Sequence, residues 1–230
     1  DKPDGLKSHL LSFMNVDGEE VVKFLQDVLD ALFNILMQNS DSDLYDNLVF
    51  DALIFIICLI SDRKYHQFRP VLDLYIKENF SATLAYNKLM VVLRHYVETE
   101  HKSLLKSMKS LEYIFKFIIR SRVLFAALNE GRGKQQFEIS LKQLFESLNE
   151  MMKKTSDAVL SDQGAAMKYL PSTVDDVITV FDPTQFSLIL VEFINSLPIN
   201  RLTRPKLTCM KNIVESSLFK YAECRQVLLP

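Results

Sequence analysis

The chain has 230 residues, of which 48% are hydrophobic and 24% charged, and its formal net charge is −2. This composition excludes an intrinsically disordered segment, which is less hydrophobic and more highly charged, and a nucleic-acid binder that depends on bulk positive charge. Five glycines and seven prolines are few for this length, and since turn-dense β folds use far more of both, the composition favours helices.

An apolar period of three to four residues runs through the sequence and predicts about ten amphipathic helices and no strand. They span about 17–39, 42–60, 66–78, 81–99, 103–129, 137–154, 156–170, 172–181, 183–197 and 203–218. Asp17, Ser81, Ser156 and Asp182 stand where a helix N-cap is expected, and Pro183 follows as a first helical residue. The longest apolar run, Leu48–Ile60, is shorter than the roughly 20 residues of a membrane span.

Short connections make consecutive helices antiparallel neighbours, which leaves two packings open, a closed bundle and a stacked solenoid. The stretch 44–60 is apolar on nearly every face and must be covered on all sides. An inner helix of a solenoid meets that condition, and alternate helices start at irregular distances around the armadillo and HEAT period. We therefore predict an all-α fold, an armadillo/HEAT-like α-solenoid of irregular helical hairpins.

The ends of the sequence suggest that it was cut from a longer protein, because it starts without methionine and stops within the apolar run 227–230. We expect residues 1–230 to form a single helical-repeat domain. Cys58, Cys209 and Cys224 lack the C-x-x-C spacing of redox and zinc sites. A reducing compartment is therefore expected.

Charge is distributed unevenly along the chain. Residues 1–62 carry 3 basic and 12 acidic side chains, whereas residues 102–134 carry 8 basic and 2 acidic ones. At about 100° per residue, six side chains of the predicted 103–129 helix and the residue before it share one narrow face. This basic stripe comprises Lys102, Lys106, Lys109, Tyr113, Lys116 and Arg120. It is the candidate interaction surface, for an acidic protein surface, an anionic membrane or the acidic end of the same molecule; a plain solvated face is the alternative.

Two charged residues on apolar helix faces are interpreted as structural. Asp51 should pair with a neighbouring helix start or with a cation such as Arg63, because an unpaired buried carboxylate is costly. Arg122 projects towards the apolar side of its helix, and its guanidinium should pair with a carboxylate of an adjacent helix.

No catalytic, cofactor or metal residue is predicted. His95, Glu98 and His101 lack an H-E-x-x-H pattern, and no cysteine is near them in sequence. The loop 131–135 follows a helix and has Gln135 where a phosphate loop needs Ser or Thr. The glycosylation sequon at 79–81 is better explained by Ser81 as a helix cap.

Long stretches of the chain resemble the dedicator-of-cytokinesis (DOCK) exchange factors, in particular the subfamily that acts on Rac and pairs with ELMO proteins. The stretches are Asp17–Ser40 (DGEEVVKFLQDVLDALFNILMQNS), Leu48–Ile57, Asp62–Leu89, Leu111–Phe125 (LEYIFKFIIRSRVLF), Ala165–Leu170 and Glu223–Pro230. The resemblance implies a parent guanine nucleotide exchange factor with an SH3 domain, a phosphoinositide-binding module, a helical armadillo-like region and a catalytic region. The chain looks like part of the helical region, so no family active-site residue is carried over.

The resemblance also implies a role. The segment would be a non-catalytic scaffold that links the membrane-binding and catalytic regions and offers protein-interaction surface. Its partners would be an ELMO-type scaffold protein and other domains of the same chain, with Rac bound through the parent's catalytic region. The parent would be cytoplasmic and recruited to the plasma membrane. The alternative function is binding of anionic membrane lipid by the basic stripe; no nucleic-acid partner and no cofactor are expected.

Overall fold

A computed structural model describes residues 3–229, so Asp1, Lys2 and Pro230 of the predicted domain lie outside the described residues. Fourteen α-helices occur in the described range, and it contains no β-strand. They are α1 Pro3–Phe13, α2 Gly18–Lys23, α3 Leu25–Gln38, α4 Asp46–Ser61, α5 Arg69–Leu74, α6 Ala85–Glu98, α7 Leu104–Lys109, α8 Leu111–Leu128, α9 Lys134–Lys153, α10 Leu160–Tyr169, α11 Val174–Val177, α12 Pro183–Ser196, α13 Thr203–Val214 and α14 Ala222–Leu228. A π-helix, Tyr75–Asn79, follows α5, and short 3₁₀ turns connect several other elements.

Three of the predicted N-caps are confirmed by side-chain hydrogen bonds. The carboxylate of Asp17 accepts from the Glu19 amide at 3.1 Å, and that of Asp182 accepts from the Gln185 amide at 2.8 Å. Ser156 caps a 3₁₀ turn by accepting from the Ala158 amide. Each bond satisfies an amide that has no partner within its own helix.

The fourth predicted cap is wrong. Ser81 lies before a turn, and α6 begins only at Ala85, where the N-cap residue Leu84 makes no side-chain capping bond. Instead, the buried hydroxyl of Ser121 on α8 donates to the Ala82 carbonyl and accepts from the Tyr86 amide. A long-range partner therefore satisfies this helix start, and local sequence does not reveal it.

Two predicted helices are each divided in two. The first breaks at Phe24 (φ −112°, ψ 29°) between α2 and α3, and the second at Ser110 (φ −102°, ψ 4°) between α7 and α8. Ser110 is buried, and its hydroxyl donates to the Lys106 carbonyl at 2.7 Å, which satisfies the last turn of α7. Apolar residues continue at helical spacing across both breaks, so periodicity alone predicts one helix in each place.

The apolar helix α4 is central to the first half of the molecule. Val49, Phe50, Ala52 and Ile56 on it are fully buried, and the helix packs against α1, α3, α6 and α7. Coverage on several sides is what its all-round apolar sequence requires.

Packing then proceeds along the chain. α6 contacts α8 and α9, α9 contacts α12, and α12 contacts α14, while α10 lies against α7 and α13. The buried hydrophobic residues form one cluster that runs from Leu10 to Cys224. Successive hairpins share their apolar faces, and the fold is therefore an all-α helical solenoid, as the sequence predicts.

The partners expected for Asp51 and Arg122 are both wrong. Asp51 accepts a hydrogen bond of 2.7 Å from the Tyr96 hydroxyl on α6 and does not pair with Arg63. Arg122 is buried, donates to the Arg132 carbonyl at 2.8 Å and lies over the ring of Phe137, with two further aromatic rings nearby. Both groups are structural, but a phenol takes the place of the helix start or cation expected for Asp51, and a carbonyl and aromatic faces take the place of the carboxylate expected for Arg122.

Candidate functional site

The break at Ser110 separates the basic stripe into two groups. Lys102 precedes α7, and Lys106 and Lys109 lie on it; all three are exposed. The other three members lie on α8, where Tyr113 is buried and the two cations are half-buried. The prediction of one continuous helical face is therefore wrong, and the two groups have different surroundings.

Lys116 and Arg120 line a groove between α8, the segment 69–79 and α11, which we call the α8 groove. Its volume is about 420 Å³. The charged residues that line it are Asp73, Lys77, Glu112, Lys116, Arg120 and Asp176. Between them, Ile76 and Ile119 are nearly buried and Val123 is 38% exposed. A second groove of about 520 Å³ shares Val123 and Thr179 with it and extends the depression towards Phe181.

Tyr113 belongs to a hydrogen-bonded network beneath one end of the α8 groove. Its hydroxyl donates to Asp73 at 2.7 Å and accepts from Arg69 Nε at 3.0 Å. Arg69 Nη2 also donates to both carboxylate oxygens of Glu112 at 2.8 Å. Burial, followed by the hydrogen bond to Asp73, raises the pKa of the Tyr113 phenol above its ordinary value. Tyr113 thus ties α8 to α5 and offers little surface to a partner.

Lys116 links two walls of the groove. Its Nζ lies 3.0 Å from Asp176 on α11, and both side chains are roughly three-quarters buried. This ion pair neutralises the only stripe lysine that lies on α8.

Arg120 has a different environment. Its Nη2 donates to the Lys77 carbonyl at 3.1 Å, and its buried Nε has no hydrogen-bond partner within residues 3–229. Lys77 lies in the last turn of the π-helix. Carbonyls in the last turn of a helix have no partner within that helix, so the Lys77 carbonyl can accept from Arg120. Within residues 3–229 Arg120 is thus held by the backbone carbonyl of Lys77 and not by a carboxylate.

The sequence does not reveal the acidic side of this site. Asp73, Glu112 and Asp176 come from three separate elements, and only the tertiary fold brings them to one groove. Glu112, immediately before Tyr113, is the one acid that the predicted helix already carries. Charge counting over residues 102–134 therefore overstates the positive charge of the surface.

His95, Glu98 and His101, which lack a metal-binding sequence pattern, make other contacts. The imidazole of His101 stacks on the ring of Tyr96 at 3.8 Å, and Glu98 accepts from Ser147 and Arg94. The bond from Ser147 has the larger effect, and together the two bonds lower the pKa of the Glu98 carboxyl. Within residues 3–229 no group of three or more His, Cys, Asp or Glu side chains is arranged to hold a metal ion. No helix in that range is both long enough and apolar enough to cross a bilayer.

Nearly the whole chain is similar to one region of known proteins. A protein-family model described as the dedicator of cytokinesis (DOCK) TPR region matches residues 2–230. Dedicator of cytokinesis protein 3 from Mus musculus and from Homo sapiens, and dedicator of cytokinesis protein 4 from Homo sapiens, are each 35% identical over 241 aligned residues. Each alignment covers 99% of this chain but only 12% of the relative's length.

Proposed function

The chain belongs to the dedicator-of-cytokinesis family, and from that premise we propose that it is a non-catalytic helical scaffold segment of a DOCK-type Rac exchange factor. In this role it forms one helical-repeat domain that links the membrane-binding and catalytic regions of its parent. Its surface is offered to an ELMO-type scaffold protein and to other domains of the same chain. Rac binds through the parent's catalytic region, and the parent moves from the cytoplasm to the plasma membrane.

The observation that carries this proposal is the continuous core. One cluster of buried hydrophobic residues has members on every helix from α1 to α14. Hydrogen bonds between helices add directional ties, as at Tyr96 and Asp51. A segment packed in this way holds the regions at its two ends at a fixed separation, which a flexible linker does not do.

A nucleotide-exchange assay tests the division of labour. The isolated 230-residue chain should not release labelled nucleotide from Rac above the spontaneous rate, whereas the parent should. A parent in which residues 1–230 are replaced by a Gly/Ser linker should keep exchange in solution and lose its stimulation by membranes that carry phosphoinositide. Exchange by the isolated chain contradicts the proposal, as does full membrane stimulation of the linker variant.

A specific observation supports the second candidate function, binding of anionic lipid. Lys102, Lys106 and Lys109 are exposed, and none of them lies within ion-pair distance of a carboxylate in the described part of the chain. Exposed lysines near an anionic bilayer contribute about 1 kcal/mol each. This group is therefore the part of the basic stripe that remains available to a membrane.

Vesicle co-sedimentation tests this second function. Changing Lys102, Lys106 and Lys109 to Glu should abolish salt-sensitive binding to phosphatidylserine vesicles. The matched control changes three exposed cations in the C-terminal part of the chain, Arg204, Lys211 and Lys220, to Glu, so that the two triple variants have the same net charge. Equal binding by the two triple variants, or no binding by the unmodified chain at physiological salt, removes the lipid function.

A further inference from the structure

The charges of the α8 groove do not cancel locally, although three acids and three cations line it. All three carboxylates have internal partners. Glu112 binds Arg69, Asp73 accepts from Tyr113, and Asp176 pairs with Lys116. Tyr113 is a neutral donor and leaves the charge of Asp73 in place, whereas Arg69, which lies outside the set of six lining charges, adds a fourth cation beside the three carboxylates.

Two cations are consequently left without adequate partners. Arg120 has no carboxylate within 4.0 Å in residues 3–229, and its buried Nε makes no hydrogen bond there. Lys77 is 80% exposed, and its nearest carboxylate, that of Glu78, is 3.9 Å away. The buried Nε is out of reach of a ligand, but Nη1 of Arg120 is not buried and makes no hydrogen bond within residues 3–229. Nη1 and the neighbouring Lys77 ammonium form a recognition point for an anionic oxygen group.

The apolar centre of the groove narrows the choice of ligand. On α8, Ile119 lies about one helical turn after Lys116 and Val123 about two turns after it. Ile76 of the π-helix lines the same groove. Val123 stays partly exposed, so a ligand that covers it gains apolar burial. An inorganic anion cannot use this surface. A flat bilayer is disfavoured because the recognition point lies in a groove between three elements, which a narrow peptide enters and a flat surface does not.

We infer that the α8 groove docks an acidic peptide segment of a partner protein. One Asp or Glu carboxylate of the segment binds Arg120 and Lys77, and an adjacent apolar side chain covers Val123 and Ile119. The inference rests on the proposed scaffold function, since it names the chemistry of one partner that the scaffold binds.

Short synthetic peptides provide the probe for this site. A fluorescent set pairs each Asp or Glu with Leu or Ile, and an isosteric set carries Asn or Gln instead. Binding to the 230-residue chain is followed by anisotropy, and methyl resonances of Ile76, Ile119 and Val123 report the location. We expect the acidic set to shift these methyl signals and to bind at least about tenfold more tightly than the amide set.

Two variants separate the site from the fold. Arg120→Gln should weaken binding of the acidic peptides at least about tenfold, and the exposed control Arg204→Gln should leave it unchanged. Val123→Glu adds a repelling charge at a partly exposed position, so it should abolish binding while circular dichroism stays that of the unmodified chain. Each variant is assayed at low and at physiological salt, and the acidic peptides should bind more weakly at the higher salt.

Defined outcomes overturn the inference. These are unchanged binding in Arg120→Gln and Val123→Glu, equal binding of the acidic and amide sets, no peptide binding, or methyl shifts produced by inorganic phosphate or phosphatidylserine vesicles alone. The scaffold function is judged separately by the linker-replacement exchange assay. That assay can succeed when peptide binding fails, so the two failures are distinguishable.

Discussion

Three buried tyrosines each donate a hydrogen bond to an aspartate that lies 40 to 45 residues earlier in the chain. The pairs are Tyr75 with Asp30, Tyr96 with Asp51, and Tyr113 with Asp73, each at 2.7 Å. In every pair, burial and then the carboxylate raise the pKa of the phenol. The phenol therefore remains a donor throughout the neutral range.

Tyr96→Phe removes one of these bonds without a large change in volume. Since the carboxylate of Asp51 loses its donor in a half-buried position, the free energy of unfolding should fall by about 1–3 kcal/mol. Urea denaturation followed by circular dichroism measures the change. Tyr221→Phe, at a 45% exposed tyrosine, is the control and should stay within about 0.5 kcal/mol. Equal effects of the two substitutions would contradict the assigned role of the bond.

Stability should fall at alkaline pH. In the unfolded chain the tyrosines lose their protons near pH 10, whereas in the folded chain the raised pKa of Tyr75, Tyr96 and Tyr113 keeps them protonated. Above pH 10 the unfolded state thus binds fewer protons, and the free energy of unfolding decreases with rising pH. Thermal unfolding from pH 8 to pH 11 checks this. The triple variant to Phe should show a flatter slope above pH 10, and an identical slope would refute this origin.

Cysteine labelling should discriminate among the three thiols. Cys209 is buried, and burial raises the pKa of its thiol to about 12, while Cys224 is also buried and Cys58 is half-buried. Because the thiolate is the reactive form, iodoacetamide at pH 8 should modify Cys58 first and the other two only after denaturation. Peptide mass spectrometry measures the order. Labelling of Cys209 as fast as Cys58 in the folded protein would be inconsistent with this environment.

At the scale of residues, the sequence shows which buried polar groups need a partner, but it does not identify the partner. The cost of an unpaired carboxylate identifies Asp51 as a group to be satisfied. Its donor, Tyr96, is 45 positions away, and no local pattern connects the two. Arg122 follows the same logic, because its aromatic surroundings come from α6, α8 and α9.

At the scale of elements, Arg122 contacts the connection between α8 and α9. This turn contains Glu130, Gly131 and Gly133 at positive φ, and the Arg122 guanidinium binds the Arg132 carbonyl within it. Glycine is suited to two of these positions because it adopts positive φ without strain. The turn is thus shaped by backbone freedom, closed by backbone hydrogen bonds such as that from the Gly131 amide to the Ala126 carbonyl, and tied to α8 by the Arg122 side chain.

Arg122→Met should destabilise the fold and loosen this turn. Loss of a hydrogen bond from a charged donor predicts a decrease of about 1.5–3 kcal/mol in the free energy of unfolding, together with faster tryptic cleavage after Arg132. Urea denaturation and limited proteolysis measure the two effects. The matched substitution Arg204→Met, at an exposed arginine, should change neither. Unaltered cleavage in Arg122→Met would show that the turn is held by other contacts.

Helix ends differ in how well sequence predicts them. Asp17 and Asp182 are N-caps both by sequence and by structure, because the capping bond is local. The ends at Phe24 and Ser110 leave no trace in the apolar periodicity, which continues across both breaks. Consequently the basic stripe, which assumes a helix without a break, is only partly one surface.

At the scale of the whole molecule, the continuous core predicts cooperative unfolding. One cluster of buried residues joins all parts from Leu10 to Cys224, so no group of helices should unfold by itself. Urea denaturation should give one transition, with coincident curves by circular dichroism and by tyrosine fluorescence, which is usable because the chain has no tryptophan. Two separated transitions would instead mean that neighbouring hairpins are weakly coupled.

The fold class was accessible from sequence because it depends on patterns within single helices. The all-round apolar character of α4 indicates coverage on several sides, and its contacts with α1, α3, α6 and α7 provide it. The α8 groove was not accessible, because Asp73 and Asp176 reach Lys116 and Arg120 only after the hairpins stack. A surface assembled from several repeats has no linear signature.

The tyrosine–aspartate bonds have a consequence for how the stacked helices find their alignment. Apolar contacts are non-directional, so two apolar helices displaced along each other by one turn, about 5.4 Å, could bury a similar surface area. A hydrogen bond of 2.7 Å does not survive that displacement. Each phenol therefore stabilises the native register over a slipped one. Together the three bonds select one alignment of helices whose apolar interior alone would permit several.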